Sequence, residues 1–291
     1  MSKMERFTTI WEARRWASLF LKQHNREEGV ADLLLMHHLD MSRANLLASS
    51  KDTFPVEIQE LLMEQVRAHA EQGIPVQHLI GHEEFYGRHF TVNEHVLIPR
   101  PETEELVQLV LREIDREYSG KQLTVLDLGA GSGAISITLK KENPMLCVKA
   151  VDISEDALAV AKHNAVKLDA DVEFFQGNFL EPFIEKGIKA DIVVSNPPYI
   201  SINDKDTLDD TVKNYDPDQA LYAGDDGLDA YRIILQQLPS VVKNKSLLAF
   251  EIGYQQGEAV QKIIQSGFPQ SNPQIVQDIN GKDRMVYSWL Q

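Results

Sequence analysis

The segment Asp191-Ile-Val-Val-Ser-Asn-Pro-Pro-Tyr199 joins a short apolar run to a turn that contains two prolines. Ile192, Val193 and Val194 are bounded by turn-forming residues, which predicts a buried strand of a parallel sheet that ends at Ser195. Ligands of open α/β sheets lie beyond the carboxyl ends of the strands. The four residues 196–199 are therefore expected to lie where a ligand binds.

The turn 196–199 offers hydrogen-bond acceptors and few donors. Pro197 and Pro198 have a fixed φ and no N–H, and the proline after Asn196 pushes that residue toward an extended conformation. The result is a rigid cluster of carbonyl oxygens beside the aromatic ring of Tyr199. Such a cluster suits a planar –NH2 group, because accepting both hydrogens orients the nitrogen lone pair and stabilises the charge that grows during attack. The structural alternative for these four residues is a proline-rich turn after a core strand.

A glycine-rich segment upstream predicts a nucleoside site. Residues 124–128, Thr-Val-Leu-Asp-Leu, predict a buried strand, and Gly-Ala-Gly-Ser-Gly at 129–133 predicts a sharp turn into a helix over 135–141. A second strand over 148–151 ends in Asp152, where a carboxylate can bind a ribose diol. A third strand over 172–175 leads to Phe179, which could stack on adenine.

The glycine segment by itself fits two cofactors. Gly129, Gly131 and Ala134 satisfy the dinucleotide pattern G-x-G-x-x-G/A, and Asp152 lies at the acidic position about 20 residues on. A nicotinamide-dependent dehydrogenase is therefore one interpretation. The tighter glycine triplet at 129, 131 and 133 looks more like the loop of S-adenosylmethionine-dependent methyltransferases. The acceptor turn at 196–199 has no use in hydride transfer, which favours the second interpretation.

Composition limits the partners. The chain has 291 residues, 43% of them hydrophobic and 25% charged, so a core domain with a smaller second domain is expected. Its net charge of −15 argues against tight binding to DNA or RNA, although a basic protein partner remains compatible. Cys147 is the only cysteine, and no apolar run approaches ~20 residues, so we expect no disulfide, no membrane association and a cytoplasmic location.

The remaining sequence predicts a helical bundle, a hairpin and the rest of a sheet. Apolar residues recur at helical spacing up to about Gly73, whereas 83–99 alternates strand-like pairs with turn residues. Pro101 and the acidic residues after it predict a helix to about Tyr118, either capped by these residues or lying across the cofactor cleft. His37, His38, His78 and His82 have no partner at ligand spacing, so no metal site is expected. Strands over 246–252, 274–278 and 284–290 complete a sheet of about seven strands.

These segments together resemble the peptide chain release factor N5-glutamine methyltransferase family, within the class I S-adenosylmethionine-dependent methyltransferases. The resemblance rests on segments spread over nearly the whole chain: Ala31-Asp-Leu-Leu-Leu35, Gln77-His-Leu-Ile-Gly81, Glu84-Phe-Tyr-Gly87, Ile98-Pro-Arg-Pro-Glu-Thr-Glu104, Asp127-Leu-Gly-Ala-Gly-Ser-Gly133, Asn196-Pro-Pro-Tyr199, Gly224-Asp-Asp-Gly-Leu228 and Gly281-Lys-Asp-Arg284. It implies an α/β fold, a doubly wound, Rossmann-like sheet of seven mostly parallel strands with one antiparallel strand. A small amino-terminal helical bundle is joined to this sheet by a β-hairpin.

The resemblance also implies an activity. The enzyme would transfer the methyl group of S-adenosyl-L-methionine to the side-chain amide nitrogen of the glutamine in the Gly-Gly-Gln loop of class I release factors, the proteins of translation termination. Residues 1–82 would form the bundle that recognises the substrate protein, 83–99 the hairpin linker and 100–291 the methyltransferase domain. An adenine-N6 nucleic-acid methyltransferase uses the same Asn-Pro-Pro-Tyr turn and is the alternative function, although the chain has no segment rich in Lys and Arg.

Carried onto this sequence, the resemblance assigns residues to three roles. The catalytic residues would be Asn196, Pro197 and Tyr199: Asn196 and the carbonyl of Pro197 would accept the amide hydrogens, and Tyr199 would pack against the amide plane. The substrate site would comprise Asn196, Pro197, Pro198 and Tyr199. The cofactor site would comprise Gly129, Ala130, Gly131, Ser132, Gly133, Asp152, Phe179 and Asn196.

Overall fold

The structure is a computed structural model that describes residues 6–118 and 120–290. The chain divides into two compact units. The first unit contains the residues up to Gly81 together with 210–215, and the second contains 82–209 and 216 onward. Within the described ranges, none of the helices is long and apolar enough to cross a membrane.

The helices of both units are numbered in chain order. They are α1 (Ile10–Gln23), α2 (Val30–Leu39), α3 (Arg43–Ala48), α4 (Val56–Arg67), α5 (Val76–Ile80), α6 (Pro101–Tyr118), α7 (Ala134–Glu142), α8 (Glu155–Lys167), α9 (Glu181–Glu185), α10 (Asp210–Tyr215), α11 (Asp218–Leu221), α12 (Asp229–Gln237) and α13 (Gly257–Gly267). A π-helical turn, Ala68–Gln72, continues α4, and 3-10 turns cover Ile202–Thr207 and Leu238–Ser240.

The strands are β1 (His82–Phe85), β2 (Arg88–Thr91), β3 (Thr124–Leu128), β4 (Cys147–Asp152), β5 (Val172–Gln176), β6 (Ala190–Ser195), β7 (Val242–Glu251), β8 (Gln274–Gln277) and β9 (Asp283–Leu290). β1 and β2 form a separate antiparallel pair, and the other seven form one sheet in the order β5-β4-β3-β6-β7-β9-β8. β9 runs antiparallel to both β7 and β8, whereas the pairs from β5 to β7 are parallel. The predicted seven-stranded sheet with one antiparallel strand is confirmed.

The first unit is a helical bundle with its own apolar core. α1 begins with a capping box, in which the hydroxyl of Thr9 accepts the Glu12 N–H and the Glu12 carboxylate accepts the Thr9 N–H. Leu21, Leu34 and Leu62 lie on three different helices and are fully buried together. α10 belongs to this unit although it lies far along the chain. Asp210 accepts two hydrogen bonds from Arg26, and the Tyr215 hydroxyl donates to the Gln72 carbonyl.

The central strands of the large sheet are apolar on both faces, as their sequences predict. Every residue of β6 is buried, and its side chains alternate between two clusters, with Ile192 and Val194 in one and Val193 in the other. The direction in which the chain adds strands reverses between β3 and β6, since β4 and β5 follow on one side of β3 and β6 lies on the other. This reversal leaves a crevice at the carboxyl ends of β3 and β6.

The β1–β2 hairpin turns through Tyr86 and Gly87, whose φ angles are 52° and 70°. Two successive positive φ values match the twist of the flanking strands, which explains why two residues suffice for this turn. The sequence also predicted strand-like pairs after residue 91, but 92–100 contains no strand. The fully buried Asn164 of α8 instead bonds to Thr91 in both directions and donates to the Ser132 carbonyl, so it ties the end of the hairpin to the glycine-rich loop.

Candidate active site

The glycine-rich loop and the acceptor turn leave the sheet side by side. Leu128, the last residue of β3, pairs in register with Ser195, the last residue of β6, and the Ser195 hydroxyl donates to the Leu128 carbonyl over 2.6 Å. A β-carbon built on Gly129 would lie 4.0 Å from the Asn196 carbonyl oxygen. The two segments that the sequence assigned to cofactor and substrate therefore adjoin each other at the crevice between β3 and β6.

The backbone of the glycine-rich loop is held by β4. The N–H groups of Gly129 and Ala130 both donate to the Val151 carbonyl, each over 2.9 Å. Gly133 caps α7 with a φ of +82°, and a β-carbon there would lie 2.7 Å from Cδ1 of Ile137. A side chain at 133 would therefore be strained by its backbone conformation, and the terminal methyl group of Ile137 would have to shift to admit it. This glycine sets the tight entry into α7.

Asp152 ends β4 beside this loop. Its carboxylate accepts N–H groups from Gly131 at 2.8 Å and from Ser154 at 2.9 Å. Burial raises the pKa of Asp152, and the backbone N–H groups oppose that shift because they favour the charged form. Each oxygen of a carboxylate has more than one lone pair, so the carboxylate that these donors fix can also accept hydroxyl groups of a ligand.

A cavity of about 450 Å³ opens over these segments, a volume within the range of small-molecule sites. Five residues of the predicted cofactor site line it: Gly129, Gly131, Asp152, Phe179 and Asn196. Pro198 of the predicted substrate site also lines it. Ala130, Ser132, Gly133, Pro197 and Tyr199 are not among the lining residues. The first three belong to the glycine-rich loop, and Pro197 and Tyr199 belong to the acceptor turn.

Two walls of the cavity come from segments to which the sequence assigned no cofactor role. One comprises His95, Val96 and Leu97, which follow the hairpin, and the other includes Tyr222, Ala223 and Gly224. The second wall is attached to the acceptor turn, because Ile200 N–H donates to the Leu221 carbonyl and Ala223 N–H donates to the Ile200 carbonyl. The sequence signalled this wall only indirectly, because Gly224 begins one of the segments that carry the family resemblance.

An ion pair joins Arg100, which follows the first wall in the chain, to Asp216, which precedes the second. Arg100 Nη2 lies 2.8 Å from Oδ2 of Asp216, whose carboxylate is almost completely buried. Burial raises the pKa of Asp216, and the Arg100 charge opposes this. Removing Arg100 would leave a buried carboxylate without its cationic partner, which is the costly way to break such a pair.

The cavity fits a nucleoside. Its apolar lining includes Phe179, Ile153 and Leu97, and its acidic lining residues are Asp152 and Asp229. A planar base suits the apolar part of such a site, and a ribose diol suits a carboxylate. Phe179 adopts a positive φ of 51°, which is uncommon for a residue other than glycine and marks a position fixed by its surroundings.

Tyr199 is held at both its ring and its backbone. Its hydroxyl lies 3.5 Å from Oε1 of Glu251, and its carbonyl accepts a hydrogen bond of 2.9 Å from Nε2 of Gln256. Burial raises the pKa of Tyr199 well above the usual range of a phenol, so this hydroxyl stays neutral. The ring is therefore a fixed, neutral wall beside the acceptor turn.

The first turn of α6 contacts the acceptor turn rather than the cofactor cavity. Asn196 Nδ2 donates to Thr103 Oγ1 over 3.2 Å, and the Thr103 hydroxyl donates to Oε2 of Glu251 over 2.7 Å. Residues 100–104 are absent from the cavity lining. The start of α6 therefore does not line the cofactor cavity. It contacts the acceptor turn through Thr103.

Comparison with known sequences identifies the family. Residues 12–81 match the PrmC N-terminal domain, and residues 103–214 match the methyltransferase small domain. The release factor glutamine methyltransferase of Bacillus anthracis is 48% identical over 282 residues, which cover 97% of this chain and 99% of that protein. This chain belongs to the release factor glutamine methyltransferase family.

Another member of the release factor glutamine methyltransferase family, from Bacillus subtilis strain 168, is 49% identical over 282 residues, 96% of each chain. Among solved structures, the hMettl16 catalytic domain in complex with MAT2A 3′UTR hairpin 6 covers 82% of both chains with a TM-score of 0.53 at 14% identity, a likeness of fold alone. The family resemblance read from the sequence is confirmed, and the chain is a methyltransferase. Methyltransferases in general use S-adenosylmethionine as the methyl donor.

Proposed function

We propose that this enzyme transfers the methyl group of S-adenosyl-L-methionine to the side-chain amide nitrogen of the glutamine in the Gly-Gly-Gln loop of class I release factors. The observation that carries the proposal is the position of Asn196. It lies in the acceptor turn, lines the cofactor cavity together with Asp152, and has its backbone carbonyl next to Gly129. An amide bound at this turn would lie at the edge of the cofactor cavity.

The cofactor residues fit S-adenosyl-L-methionine, which supplies an activated methyl group on a sulfonium sulfur. Asp152 would hold the ribose hydroxyls, Phe179 would lie against the adenine, and Gly129 and Gly131 would let the backbone approach the ligand closely. Ala130, Ser132 and Gly133 would keep the loop in the conformation that allows this approach. These residues bind and orient, and they provide no group that reacts.

The substrate residues would act on the amide nitrogen. Oδ1 of Asn196 and the Pro197 carbonyl would accept its two hydrogens, which directs the lone pair and stabilises positive charge as the nitrogen attacks. Pro198 keeps the turn rigid, and the neutral ring of Tyr199 would pack against the amide plane. A strong base is unnecessary before attack, since the product nitrogen can lose its extra proton to water afterwards. Positioning is therefore the main contribution of the protein.

The remaining part of the proposal concerns the two units. Residues 1–82 would recognise the release factor, and residues 100–291 would transfer the methyl group. Residues 83–99 would connect these two parts. The net charge of −15 makes a protein a better-suited substrate than a nucleic acid, whose phosphates require clustered cations.

The direct test is incubation with labelled S-adenosylmethionine and a purified class I release factor, followed by mass spectrometry of the loop peptide. We expect one methyl group on the loop glutamine and none on a release factor in which that glutamine is replaced by glutamate. Single-stranded and duplex nucleic acids serve as competing acceptors. Label on adenine, with none on the release factor, would replace this proposal with the nucleic-acid alternative.

The residue test is Asn196→Ala. We expect kcat to fall by about 10² to 10³-fold, the usual effect of removing one positioned hydrogen-bonding group, because an acceptor for the amide is lost. The affinity for S-adenosylmethionine, measured by calorimetry, should change by much less. Asn280→Ala, on the exposed turn before β9, is the matched control and should keep parental turnover. Parental turnover by Asn196→Ala would remove Asn196 from the mechanism.

A further inference from the structure

We infer that Thr103 and Glu251 are positioning residues that decide which end of the Asn196 side-chain amide faces the substrate. The inference deepens the proposed function and rests on it. The three side chains form one chain of hydrogen bonds, from Asn196 Nδ2 to Thr103 Oγ1 over 3.2 Å and from the Thr103 hydroxyl to Glu251 Oε2 over 2.7 Å. They come from three separate elements: the acceptor turn, the first turn of α6 and the end of β7.

The order of donors in this chain is fixed by chemistry. The ionised carboxylate of Glu251 can only accept, so while Glu251 is charged the single hydroxyl hydrogen of Thr103 is committed to it. Toward Asn196 the hydroxyl then offers only lone pairs, and the –NH2 end of that amide is the end that can bond to a lone pair. Oδ1 of Asn196 is left to face the substrate. Thr103 is 4% exposed and Glu251 is 1% exposed, so water does not compete for these bonds.

The orientation matters because the two ends of an amide have opposite hydrogen-bonding character. With Oδ1 toward the substrate, Asn196 accepts a hydrogen from the –NH2 group that is to be methylated. With the amide reversed, an N–H of Asn196 would face the N–H of the substrate, and the oxygen of Asn196 would face the lone pairs of Thr103. Both contacts are repulsive, and a buried polar group left without a partner is costly.

Glu251 is itself held in place from several sides. Its carboxylate lies near the Tyr199 hydroxyl at 3.5 Å, and its backbone carbonyl accepts from the Tyr231 hydroxyl at 2.8 Å. Arg284 on β9, which is paired with Asp278, favours the charged form of Glu251, and Glu102 on α6 opposes it. Burial is the largest influence and raises the pKa of Glu251 to about 7.

A carboxyl group with this pKa makes the chain of donors sensitive to pH. When Glu251 is protonated it can donate to Thr103, and the Thr103 hydroxyl is then free to donate to Oδ1 of Asn196. This is the reversed orientation, which does not accept the substrate –NH2. Turnover should therefore fall as the pH drops through about 7, in addition to any other pH dependence of the enzyme.

The first test removes the hydroxyl of Thr103 without changing the shape of the side chain. Thr103→Val should lower kcat at least tenfold and leave the affinity for S-adenosylmethionine within about twofold, because Thr103 does not line the cofactor cavity. Thr103→Ser keeps the hydroxyl and should restore kcat to within about threefold of the parent. Thr138→Val is the matched control, since Thr138 is also fully buried and its hydroxyl has no hydrogen-bond partner among the described residues.

The inference is overturned if Thr103→Val keeps the kcat of Thr138→Val, or if the serine variant loses as much as the valine variant. The second result would mean that packing, and not the hydroxyl, matters at this position. Failure of the proposed function is a separate outcome, seen in the parent enzyme as absence of label on the loop glutamine. If the parent enzyme methylates another amine, Thr103→Val, Thr103→Ser and Thr138→Val test the same chain of hydrogen bonds on that reaction.

A second measurement uses Glu251→Gln and does not depend on the stability of Thr103→Val. The glutamine oxygen can still accept from Thr103, but the side chain no longer titrates. The ratio of kcat in Glu251→Gln to kcat in the parent should therefore rise several-fold as the pH falls from 8 to 6. Parallel pH profiles of the two enzymes over that interval would overturn the inference.

Discussion

Asp127 illustrates how one buried group affects the whole protein. It lies in β3, two residues before the first glycine of the glycine-rich loop, and is fully buried. Oδ2 accepts the Ser136 N–H over 3.0 Å, whereas Oδ1 has no hydrogen-bond partner within residues 6–118 and 120–290. Burial raises the pKa of Asp127 to about 7, and the nearby charge of Asp152 adds to this shift. At neutral pH, folding therefore places an ionisable group where its charged form is poorly solvated.

The raised pKa predicts a pH-dependent stability difference for Asp127→Asn. Between about pH 4, where the unfolded carboxyl titrates, and about pH 7, the folded parent binds the proton and the unfolded chain does not. The free energy of unfolding of the parent thus falls as the pH rises, by up to about 1.4 kcal/mol per pH unit from this group. Asparagine does not titrate, so the free energy of unfolding of Asp127→Asn should not fall in this way. The difference in free energy of unfolding, variant minus parent, should therefore increase from pH 5 to pH 7 in urea titrations. A constant difference across that interval would contradict the shift.

Individual residues were predictable from the sequence where the chemistry lies within a few positions of a strand end. Asp152 and Asn196 each directly end or follow an apolar run, and the structure places both at the crevice. The contact of Thr103 with Glu251 was not predictable, because the two residues are 148 positions apart. The sequence at 101–104 is fully explained as the start of a helix, so nothing in it indicates that Thr103 also bonds to Glu251.

Among the elements, the loop that carries Gly227 determines where the acceptor turn can lie. Gly227 has a φ of +73°, and a β-carbon there would lie 2.3 Å from the carbonyl oxygen of Tyr199. Gln256 bridges the two segments by donating to both the Tyr199 and the Gly227 carbonyls. The contact is between backbone atoms, so a side chain at 227 can be accommodated only if the turn moves.

Gly227→Ala is therefore expected to reduce kcat at least tenfold and to lower the stability. The control is Gly187→Ala, which has a similar φ of +63° but nothing within 4 Å of the added β-carbon. The control should cost only the backbone strain of about 1–2 kcal/mol and should keep its turnover. Thermal unfolding and steady-state kinetics of both variants separate the strain from the displacement. Equal effects of the two substitutions on kcat would show that the close contact at Tyr199 does not matter.

The regular elements followed from local sequence patterns to differing degrees. α6 begins at the predicted Pro101 and ends at the predicted Tyr118. The sequence here contains a proline at the first position, a glycine after the end and amphipathic spacing between them. α5 was missed, since its five residues are too few to show a helical period. The walls at 95–97 and 222–224 have no regular structure to signal them, and their position depends on contacts such as Arg100 with Asp216 that span more than a hundred residues.

For the whole molecule, the proposed recognition role of the bundle can be tested on one groove of the first unit. Its apolar lining includes Trp16, Phe20 and Leu61, and Glu60 and Glu64 lie beside them. Leu61 is 45% exposed. If this groove contacts the release factor, Leu61→Lys should raise the KM for the release factor about tenfold, a loss of about 1.4 kcal/mol, as expected for placing a charge in a buried apolar contact.

The matched control for this prediction is Val56→Lys on the same helix. Val56 is 77% exposed and does not line the groove. Both variants should bind S-adenosylmethionine as the parent does, because the cofactor cavity lies in the second unit. A KM for the release factor that is the same in the two variants would remove this groove from substrate recognition.

The place of α10 in the first unit has a consequence for biosynthesis. The bundle can add its last helix, with the contacts of Asp210 to Arg26 and of Tyr215 to Gln72, only after the ribosome has translated residue 215. By then β3, β4, β5 and β6 have already been made. The helices up to Gly81 are therefore synthesised well before the bundle can be completed, because its last helix lies more than a hundred residues further along the chain.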